Sequence, residues 1–550
     1  MAQLTGSEIL AKALRREGTE NLFFIMGGPM LLAEEWCIKE GIRPIDVRHE
    51  QAAAFMGQAY ARLLNRPGVC MAASGPGVTN LITGVANAYI DCVPLVAVGG
   101  SSPFGTYGRQ VFQEIDQLAM MKPCTKWAER VYLPKRIPEM VNVAFQQAMT
   151  GKPGPVYLDL PGDVLYMKVD EAEIDWSLSG RPIAKARPHG DPALIAEAVE
   201  ALRRAEKPVI VSGGGILWSE AWDELQALVD SAGIPIYTTP QGRGVVPEDH
   251  PYSYPAMRSA AFREADLILI VGTRQNYIIG HAYAPRFNAK AKIVRIDIDP
   301  AEIATAPRRP DVGIVGDAKA VLGQLLTALD GKVTPDTYKT WRGQLEDGEA
   351  SKRAKPGSNS LSDAVPIHPL RLCEEVKNFM DRDAILVVDG QEILNYGRQS
   401  MPTHTPGHRL NSGPFGTMGV GLPFALGAKV AKPDCQVICV HGDGSFGLNA
   451  MELDTAVRHK IPILCIISLN GGWTADPDGS KPGRDLGYTR YDKMAEALGC
   501  YAEYVEEPGE IAAALERAQK QVDAGRVALV NVKTDHTARA QTQAFSQYST

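Results

Sequence analysis

Short runs of β-branched and apolar residues alternate with helical patterns along nearly the whole 550-residue chain. Strands that are joined through helices run parallel, and parallel sheets are covered by helices on both faces. Because a single hydrophobic core stops growing at roughly 250–300 residues, a chain of this length divides into several domains. The alternation therefore predicts an α/β protein made of doubly wound parallel-sheet domains.

Two polar, turn-rich stretches at 169–192 and 354–366 separate three blocks of this alternation. The predicted strands lie at 42–47, 69–73, 95–98 and 156–160, then at 209–211, 234–237, 267–271 and 293–296, and finally at 385–388, 437–440 and 463–469. We predict three doubly wound domains at 1–168, 190–330 and 365–535. A polar tail at 536–550 shows no core pattern.

Composition excludes several classes of protein. The net charge of −7 provides no general basic surface, which argues against nucleic acid as a partner. No apolar run approaches the length of a membrane span, and the first residues resemble neither a signal nor a transit peptide. The nine cysteines are scattered without a CxxC pair, as expected of reduced thiols. We expect a soluble, cytoplasmic protein with no membrane partner.

The strongest local signal is the sequence GDGS at 442–445, directly after a predicted strand. Asn470 ends the next strand, and the carboxyl ends of neighbouring parallel strands open onto one crevice, so Asp443 and Asn470 should face the same point. Such hard oxygen ligands suit Mg²⁺ that shares its shell with phosphate. Gly442 and Gly444 permit close approach, and a helix predicted at 449–459 would direct its amino end at the anion. The alternative is an ordinary turn with a strand-end asparagine.

Three further segments carry weaker signals. Glu50 lies in RHEQAAA at 48–54, where a strand gives way to a helix, and alone it could be a simple helix-dipole partner. The loop SGPGVTN at 74–80 belongs to the same block and could shape a pocket with it. In GTMGVGLP at 416–423, the glycines fit close ligand approach, and Met418 could support a ring or belong to the core.

Together these segments resemble the thiamine-diphosphate (ThDP) family that includes acetolactate synthase, benzaldehyde lyase, oxalyl-CoA decarboxylase and 2-hydroxyacyl-CoA lyase. The resemblance covers nearly the whole chain, in the family's order of pyrimidine, middle and diphosphate domains, with 536–550 as a C-terminal lid. It implies ThDP and Mg²⁺ as cofactors.

The resemblance also implies roles for individual residues. Glu50 is similar to the glutamate that hydrogen-bonds N1′ of the aminopyrimidine and so promotes loss of the thiazolium C2 proton. Met418 matches the bulky residue that bends the cofactor, and the Gly416 carbonyl would accept from its 4′-amino group. Asp443, Asn470 and the Gly472 carbonyl would bind Mg²⁺. The other implied cofactor-binding positions are Ser74, Gly75, Asn80, Gln391, Gly442, Gly444 and Ser445.

In the family, the glutamate matched by Glu50 serves a cofactor held by the diphosphate domain of a partner subunit. The resemblance therefore implies a homodimer or homotetramer with active sites at the subunit interface.

The CoA-dependent branch offers the best match. NGG at 470–472, HRLNSG at 408–413 and the tail resemble that branch, which places Arg409 and Arg539 near CoA, whereas the flavin-binding segment of acetolactate synthases is absent. Phe112 and Trp473 stand where oxalyl-CoA decarboxylases carry groups for a second carboxylate. An apolar pocket disfavours that charge. Gln113 resembles the benzaldehyde lyase glutamine that manages a substrate hydroxyl.

We therefore predict a lyase that cleaves a 2-hydroxyacyl-CoA, an acyl-CoA thioester, to formyl-CoA and a ketone or aldehyde. The alternatives are an acetolactate-synthase-like or benzaldehyde-lyase-like carboligase acting on free 2-oxo acids or aldehydes, an oxalyl-CoA decarboxylase, and a non-catalytic relative that only binds ThDP.

The middle block offers polar and glycine positions at its strand ends. In the CoA-dependent branch, such positions hold an ADP or the nucleotide end of CoA, and ordinary α/β turns are the alternative interpretation. The positions are Gly214, Arg274, Asp297, Ile298 and Asp317.

Overall fold

The computed structural model describes residues 3–184, 186–354, 359–473, 476, 479–480 and 482–540. Within them lie three parallel sheets covered by helices on both faces, so the predicted fold class is confirmed. A short antiparallel pair joins Gln3–Thr5 to Lys168–Asp170, which ties the start of the chain to the first predicted linker.

The first domain contains a six-stranded sheet. In spatial order its strands are Arg43–Asp46, Asn21–Phe24, Gly68–Ala72, Leu95–Ser101, Pro155–Pro161 and Trp127–Arg130. Its helices are Gly6–Arg16, Leu31–Lys39, Glu50–Leu64, Pro76–Asp91, Gln117–Met121, Ile137–Met149 and Gly162–Tyr166. Three of the four inner strands, Gly68–Ala72, Leu95–Ser101 and Pro155–Pro161, are buried throughout, as expected of strands covered on both faces.

The middle domain contains a five-stranded sheet. Its strands, in spatial order, are Ile236–Thr238, Pro208–Ser212, Leu267–Val271, Lys292–Asp297 and Val312–Val315. Its helices are Pro192–Arg204, Gly215–Ser219, Trp222–Ala232, Arg258–Glu264, Pro300–Ala304, Ala318–Leu329 and Lys339–Arg353. The last helix lies beyond the predicted limit of residue 330, yet its Trp341 and Leu345 belong to the middle domain's core.

The third domain repeats the strand order of the first. Its strands are Arg409–Leu410, Ile385–Asp389, Val437–Gly442, Leu464–Leu469, Ala528–Lys533 and Tyr501–Val505. Its helices are Pro369–Phe379, Glu392–Ser400, Gly421–Ala431, Asp443–Asn449, Glu452–Arg458, Tyr491–Ala497 and Ile511–Asp523. The helix after the GDGS sequence begins at Asp443 itself, so the helix predicted at 449–459 was wrong in its start.

In each sheet the strand order reverses at one point, where a crevice opens at the carboxyl ends of two strands. Asn21–Phe24 and Gly68–Ala72 flank this point in the first sheet. Pro208–Ser212 and Leu267–Val271 flank it in the middle sheet. Ile385–Asp389 and Val437–Gly442 flank it in the third sheet. At each of the three crevices, at least one flanking strand is followed by a loop that the sequence indicated as a candidate site.

The first and third domains share a hydrophobic core through the helices Glu50–Leu64 and Gly421–Ala431. Gly427 makes this contact close, because a Cβ there would lie 2.3 Å from the Met56 carbonyl oxygen. Phe55 and Phe424 meet edge to face with ring centroids 5.8 Å apart. The first and third domains of one chain therefore pack together through a single hydrophobic core.

All nine cysteines are free thiols, and seven of them are buried. Of the helices that the structure describes, none combines the length and the apolar character needed to cross a membrane.

Candidate active site

The reversal point of the third sheet forms a cavity that brings together most of the residues predicted to hold diphosphate and metal. The predicted residues that line it are Gln391, Met418, Gly442, Asp443, Gly444, Ser445, Asn470, Gly472 and Trp473. We call it the diphosphate cavity. Gly416 is not among the lining residues; it lies two residues before Met418 with φ +72°, in the left-handed region that favours glycine.

Asp443 is almost fully buried at the first position of the helix Asp443–Asn449. Its Oδ1 accepts from the Gly444 N–H at 2.9 Å, and its Oδ2 accepts from the Gly471 N–H at 2.7 Å. Burial raises the pKa of Asp443 to about 6, because no cation lies close enough to compensate for lost hydration. A buried carboxylate with this environment is ready to bind a cation.

The donor set around Asp443 fits a hard divalent cation. Asn470 contributes an amide oxygen in the same cavity, where it accepts from the Gly472 N–H at 3.3 Å. Among the described residues, no cluster of three or more His, Cys, Asp or Glu side chains could hold a metal. One carboxylate with an amide oxygen and a carbonyl leaves shell positions open for phosphate oxygens, as Mg²⁺ requires.

Gly444 shows why the cavity needs glycine. A Cβ at this position would lie 2.7 Å from the ring of Trp473. The indole therefore packs directly against the backbone of the GDGS turn and closes one side of the cavity. Trp473 was predicted as a substrate contact, and in the structure it lies in the same cavity as Asp443 and Asn470, the predicted metal ligands.

A second cluster forms on the first domain, from residues that follow its strands. Glu50 begins the helix Glu50–Leu64, and its Oε2 accepts from the Asn80 side-chain amide at 2.9 Å. Ser74 donates its hydroxyl to Gln113 Oε1 at 2.8 Å. Gly75 carries a φ of +58°, and a Cβ there would lie 2.5 Å from the Gln113 carbonyl oxygen. The predicted pyrimidine-side residues thus meet as one group.

Gln113 holds a left-handed backbone conformation with φ +60°, which is costly for a residue other than glycine. Such strain persists only where the surroundings enforce it, and it concentrates at functional sites. The neighbouring Phe112 is 87% exposed, an extreme value for a large apolar side chain in a monomer.

The two clusters do not meet within one chain. In the described part of the chain, no hydrogen bond or ion pair joins Glu50, Ser74, Asn80 or Gln113 to the diphosphate cavity.

Gln117 supports the first-domain cluster and was not singled out from the sequence. It is buried, its Oε1 accepts from the Gly75 N–H at 2.9 Å, and its amide nitrogen lies 2.7–2.8 Å from the Gly100 carbonyl, the Tyr157 hydroxyl and Asp159 Oδ1. No sequence pattern marks it, because a buried glutamine looks like any other polar residue of a loop-to-helix junction.

The middle domain contains a cavity of about 440 Å³ at its reversal point. All five predicted nucleotide residues line it: Gly214, Arg274, Asp297, Ile298 and Asp317. Burial raises the pKa of Asp297. The first domain supplies Cys92 and Lys152 to the wall, which the sequence did not predict, since these residues are remote in the chain.

Arg409 lies away from both cavities, in a buried group of arginines between the middle and third domains. Arg243 and Arg409 both donate to the Met401 carbonyl, at 2.8 and 3.2 Å. Burial and the nearby Arg243 hold the pKa of Arg409 well below its usual range, and burial lowers the pKa of Arg398. Glu248 pairs with Arg243 at 2.5 Å.

Several guanidinium nitrogens of this arginine cluster (Arg243, Arg398 and Arg409) have no hydrogen-bond partner among the described residues. They are Arg243 Nη1, Arg398 Nε, and Nε and Nη2 of Arg409. Of these three cations, Arg243 is paired with the partly buried carboxylate of Glu248, and Arg409 lies near it. Sequence reasoning found only Arg409, because no sequence pattern indicates that Arg243 and Arg398 pack near it.

The described start of the tail lies beside the diphosphate cavity. Asp535 and Ala538 line the cavity, and the Ala540 N–H donates to Glu392 Oε2 at 3.0 Å. Arg539 stands between these two contacts. The rest of the predicted lid, 541–550, falls outside the described residues.

Three family profiles match the chain in order. The N-terminal TPP-binding domain of thiamine pyrophosphate enzymes matches residues 4–120, the central domain 195–325, and the C-terminal TPP-binding domain 394–532. A 2-hydroxyacyl-CoA lyase of Arabidopsis thaliana is 33% identical over 98% of this chain and 97% of its own length. The chain belongs to the thiamine pyrophosphate enzyme family.

Relatives within this family carry two different names. The 2-hydroxyacyl-CoA lyase 1 of Homo sapiens is 31% identical over 99% of this chain and 96% of its own length. The acetolactate synthase large subunit of Mycobacterium tuberculosis is 34% identical over 96% of this chain and 95% of its own length. Membership of this thiamine pyrophosphate enzyme family is settled by these matches, but the reaction depends on this chain's own residues.

Proposed function

We propose that this thiamine pyrophosphate enzyme cleaves a 2-hydroxyacyl-CoA to formyl-CoA and a ketone or aldehyde, with Mg²⁺ and ThDP as cofactors. The CoA assignment is supported by similarity to 2-hydroxyacyl-CoA lyases over nearly the whole chain, and the arginine cluster adds positive charge that phosphates could use. Buried guanidinium nitrogens without hydrogen-bond partners are costly, and an anion with several phosphates in contact with them would compensate. Arginine is well suited to this task because its donors match phosphate geometry. Free 2-oxo acids supply a single carboxylate.

In this reaction, the bond between the thioester carbon and the carbinol carbon breaks. The substrate hydroxyl loses its proton as the ketone or aldehyde leaves, and the thioester carbon gains a proton to become formyl-CoA. When bound, ThDP supplies a nucleophilic carbon and an electron sink for this cleavage. Asp443, Asn470 and the Gly472 carbonyl would hold its Mg²⁺.

The residues of the chain supply binding and proton control. Asn80 engages Glu50 Oε2, so Oε1 is the oxygen that faces a pyrimidine nitrogen and exchanges a proton with it. Ser74 engages Gln113 Oε1, so the Gln113 amide group is the part that can donate to the substrate hydroxyl. The apolar faces of Phe112 and Trp473 exclude water from the reacting carbon.

The arginine cluster gives a direct test. Replacing Arg398 with Met removes a cation whose Nε has no hydrogen-bond partner in the part of the chain that the structure describes, and it leaves the predicted ThDP residues intact. KM for 2-hydroxyacyl-CoA substrates should rise about 10-fold or more, the loss of one charge-assisted hydrogen bond. Arg382→Met is the matched control, since Arg382 is an exposed arginine of the same domain. Products from a panel of 2-hydroxyacyl-CoA thioesters, from pyruvate and from benzoin are identified by mass spectrometry. Turnover of pyruvate to acetolactate with no thioester cleavage would refute the proposal.

An acetolactate-synthase-like carboligase is the second candidate, because relatives of that name are as similar as the lyases. It predicts the same ThDP and Mg²⁺ dependence, and an Arg398→Met variant with unchanged kinetics.

We also propose that the 440 Å³ cavity of the middle domain binds ADP. Asp297 and Asp317 offer acceptors for ribose or adenine, while Arg274 and Lys152 supply positive charge for the phosphates. Calorimetry with ADP, AMP and CoA compares the candidates. ADP should bind without competing with the thioester substrate.

A further inference from the structure

The backbone that leads into Glu50 is held by a buried carboxylate from the third domain of the same chain. Glu452 is 1% exposed. Its carboxylate accepts from the Arg48 N–H at 3.0 and 3.3 Å and from the His49 N–H at 3.2 Å. The Thr455 hydroxyl donates to it at 2.7 Å. Such charge-assisted bonds from backbone N–H groups fix the chain immediately before a helix.

A second tie lies on the other side of Glu50. The Gln51 side-chain amide donates to Asn449 Oδ1 at 3.1 Å, and the Asn449 amide donates to the Gly419 carbonyl at 2.7 Å. Gly419 follows Met418, which lines the diphosphate cavity. The residues on both sides of Glu50 are therefore bonded to the third domain.

The other contacts along this boundary are more exposed. Asp46 is paired with His459 at 2.7 Å, and Arg48 with Asp454 at 3.6 Å, and these side chains are a sixth to a half exposed. Exposed ion pairs contribute little, whereas breaking hydrogen bonds inside the protein leaves donors unsatisfied. Burial raises the pKa of Glu452 to about 7. Its surroundings therefore disfavour the ionised carboxylate, whereas a carboxylate on the surface is stabilised by water.

We propose that Glu452 is a positioning residue for Glu50: it holds the Arg48 and His49 N–H groups so that the Glu50 carboxyl meets the pyrimidine ring at a fixed place. Asn449 and Gln51 provide the second, weaker tie. The inference rests on the proposed role of Glu50 toward ThDP, but not on the identity of the substrate.

The test measures exchange of the ThDP C2 proton into heavy water, with no substrate present. Glu452→Leu leaves two N–H groups without their acceptor, and the exchange rate should fall about 10- to 100-fold, the effect of one or two such hydrogen bonds. Glu452→Gln keeps one acceptor oxygen and should recover most of the rate. ThDP affinity by calorimetry should stay within about threefold, less than one hydrogen bond is worth. In the apo-protein, amide exchange of the peptide around 48–52 should rise.

Glu516→Leu is the matched control, because Glu516 is an exposed glutamate of the same domain. If Glu452→Leu does not fold, Gln51→Met carries the test, since it breaks only the tie to Asn449 and should slow C2 exchange by a smaller factor. A C2 exchange rate equal to that of the wild type in folded Glu452→Leu would overturn the proposal. If Glu452→Leu does not fold, the same result in Gln51→Met would overturn it. Normal exchange in Glu50→Gln would overturn it too, whereas inactivity on CoA thioesters would affect the proposed substrate alone.

Discussion

The Asp443 carboxylate receives two backbone N–H groups but no cation from the described protein, and its pKa rises accordingly. At the residue scale, the third domain thus offers a negative group whose burial is compensated only in part. The arginine cluster presents the opposite case, because its three cations outnumber the one carboxylate, Glu248, that is paired with Arg243. The ligands that we propose have the complementary charge, a cation at the first place and phosphates at the second.

The Asp443 assignment makes a specific prediction. Asp443→Ala should weaken ThDP binding in the presence of Mg²⁺ by at least about 100-fold, since it removes the charged metal ligand. The apo-protein should not be destabilised, because burial already disfavours the ionised carboxyl in the folded state. Calorimetric titration and thermal unfolding measure the two quantities, with the exposed Asp434→Ala as control. Unchanged cofactor affinity would contradict the assignment.

At the scale of elements, the helix Leu31–Lys39 carries a feature unconnected with the proposed chemistry. Glu34 is 3% exposed, and neither of its carboxyl oxygens has a hydrogen-bond partner among the described residues. Burial raises the pKa of Glu34 to about 8, so the folded protein keeps this carboxyl protonated at neutral pH. The unfolded chain releases that proton near its ordinary pKa. Folding is therefore less favourable at any pH at which Glu34 is protonated in the folded state but ionised in the unfolded state.

The penalty has a defined pH window. Below about pH 4.5, Glu34 is protonated in both the folded and the unfolded state, and its burial does not lower the free energy of unfolding. Between about pH 4.5 and pH 8 the penalty grows by about 1.4 kcal/mol per pH unit. Above about pH 8 it stays constant. Glu34→Met should therefore raise the free energy of unfolding at pH 7 by about 3 kcal/mol relative to its effect at pH 4.5. Denaturant unfolding across this range measures the difference. The exposed neighbour Glu35→Met should show no comparable pH trend.

The start of the tail is an element whose contacts refine the lid hypothesis. Ala540 is anchored to Glu392, and Ala538 lines the diphosphate cavity. Truncation after Ala540 should preserve ThDP affinity and fold while lowering turnover of CoA substrates at least about 10-fold, because a closing segment excludes water. Truncation after Asp535 should weaken ThDP binding as well. Turnover and free formate are compared with the full-length enzyme, and full activity of the first truncation would remove the lid from the mechanism.

The sequence predicted the buried elements best. The run at 267–271 matches the strand Leu267–Val271 because continuous β-branched residues between helices leave no other structure. The edge strands Trp127–Arg130 and Tyr501–Val505 were missed, since half-exposed edges mix charged with apolar residues and lose the pattern. Asp443 and Asn470 were paired because parallel strand ends must converge. The sequence did not indicate Glu452, because its carboxylate bonds to backbone N–H groups about 400 positions earlier in the chain, and no side-chain pattern marks such a contact.

On the scale of the whole molecule, the first and third domains share one strand order and pack through a common core, yet their candidate clusters do not meet within the chain. We expect a dimer in which each chain contributes half of two different sites. In such a dimer we expect the second copy to cover Phe112 and Met418, which are exposed in the single chain.

Mixing variants tests this arrangement. Glu50→Gln and Asp443→Ala homo-oligomers should each be nearly inactive. Mixed oligomers should regain activity, because one site then combines the intact Glu50 of one chain with the intact Asp443 of the other. The two proteins are refolded or exchanged together, and C2 exchange and lyase turnover are measured against a mixture of Glu50→Gln with itself. No recovery in a verified mixed dimer would place both groups in a site within one chain.

The placement of Phe112, Gln113 and Trp473 outside every hydrophobic cluster bears on how such enzymes diverge. Replacing loop residues that do not pack in a hydrophobic core changes the free energy of unfolding little. Related enzymes can therefore change substrate without first gaining stability. The cofactor-binding strand ends, by contrast, are part of the sheets and resist such drift. A gene encoding this architecture can therefore exchange one acyl donor for another through a few loop changes, in agreement with lyase and synthase names among relatives a third identical to this chain.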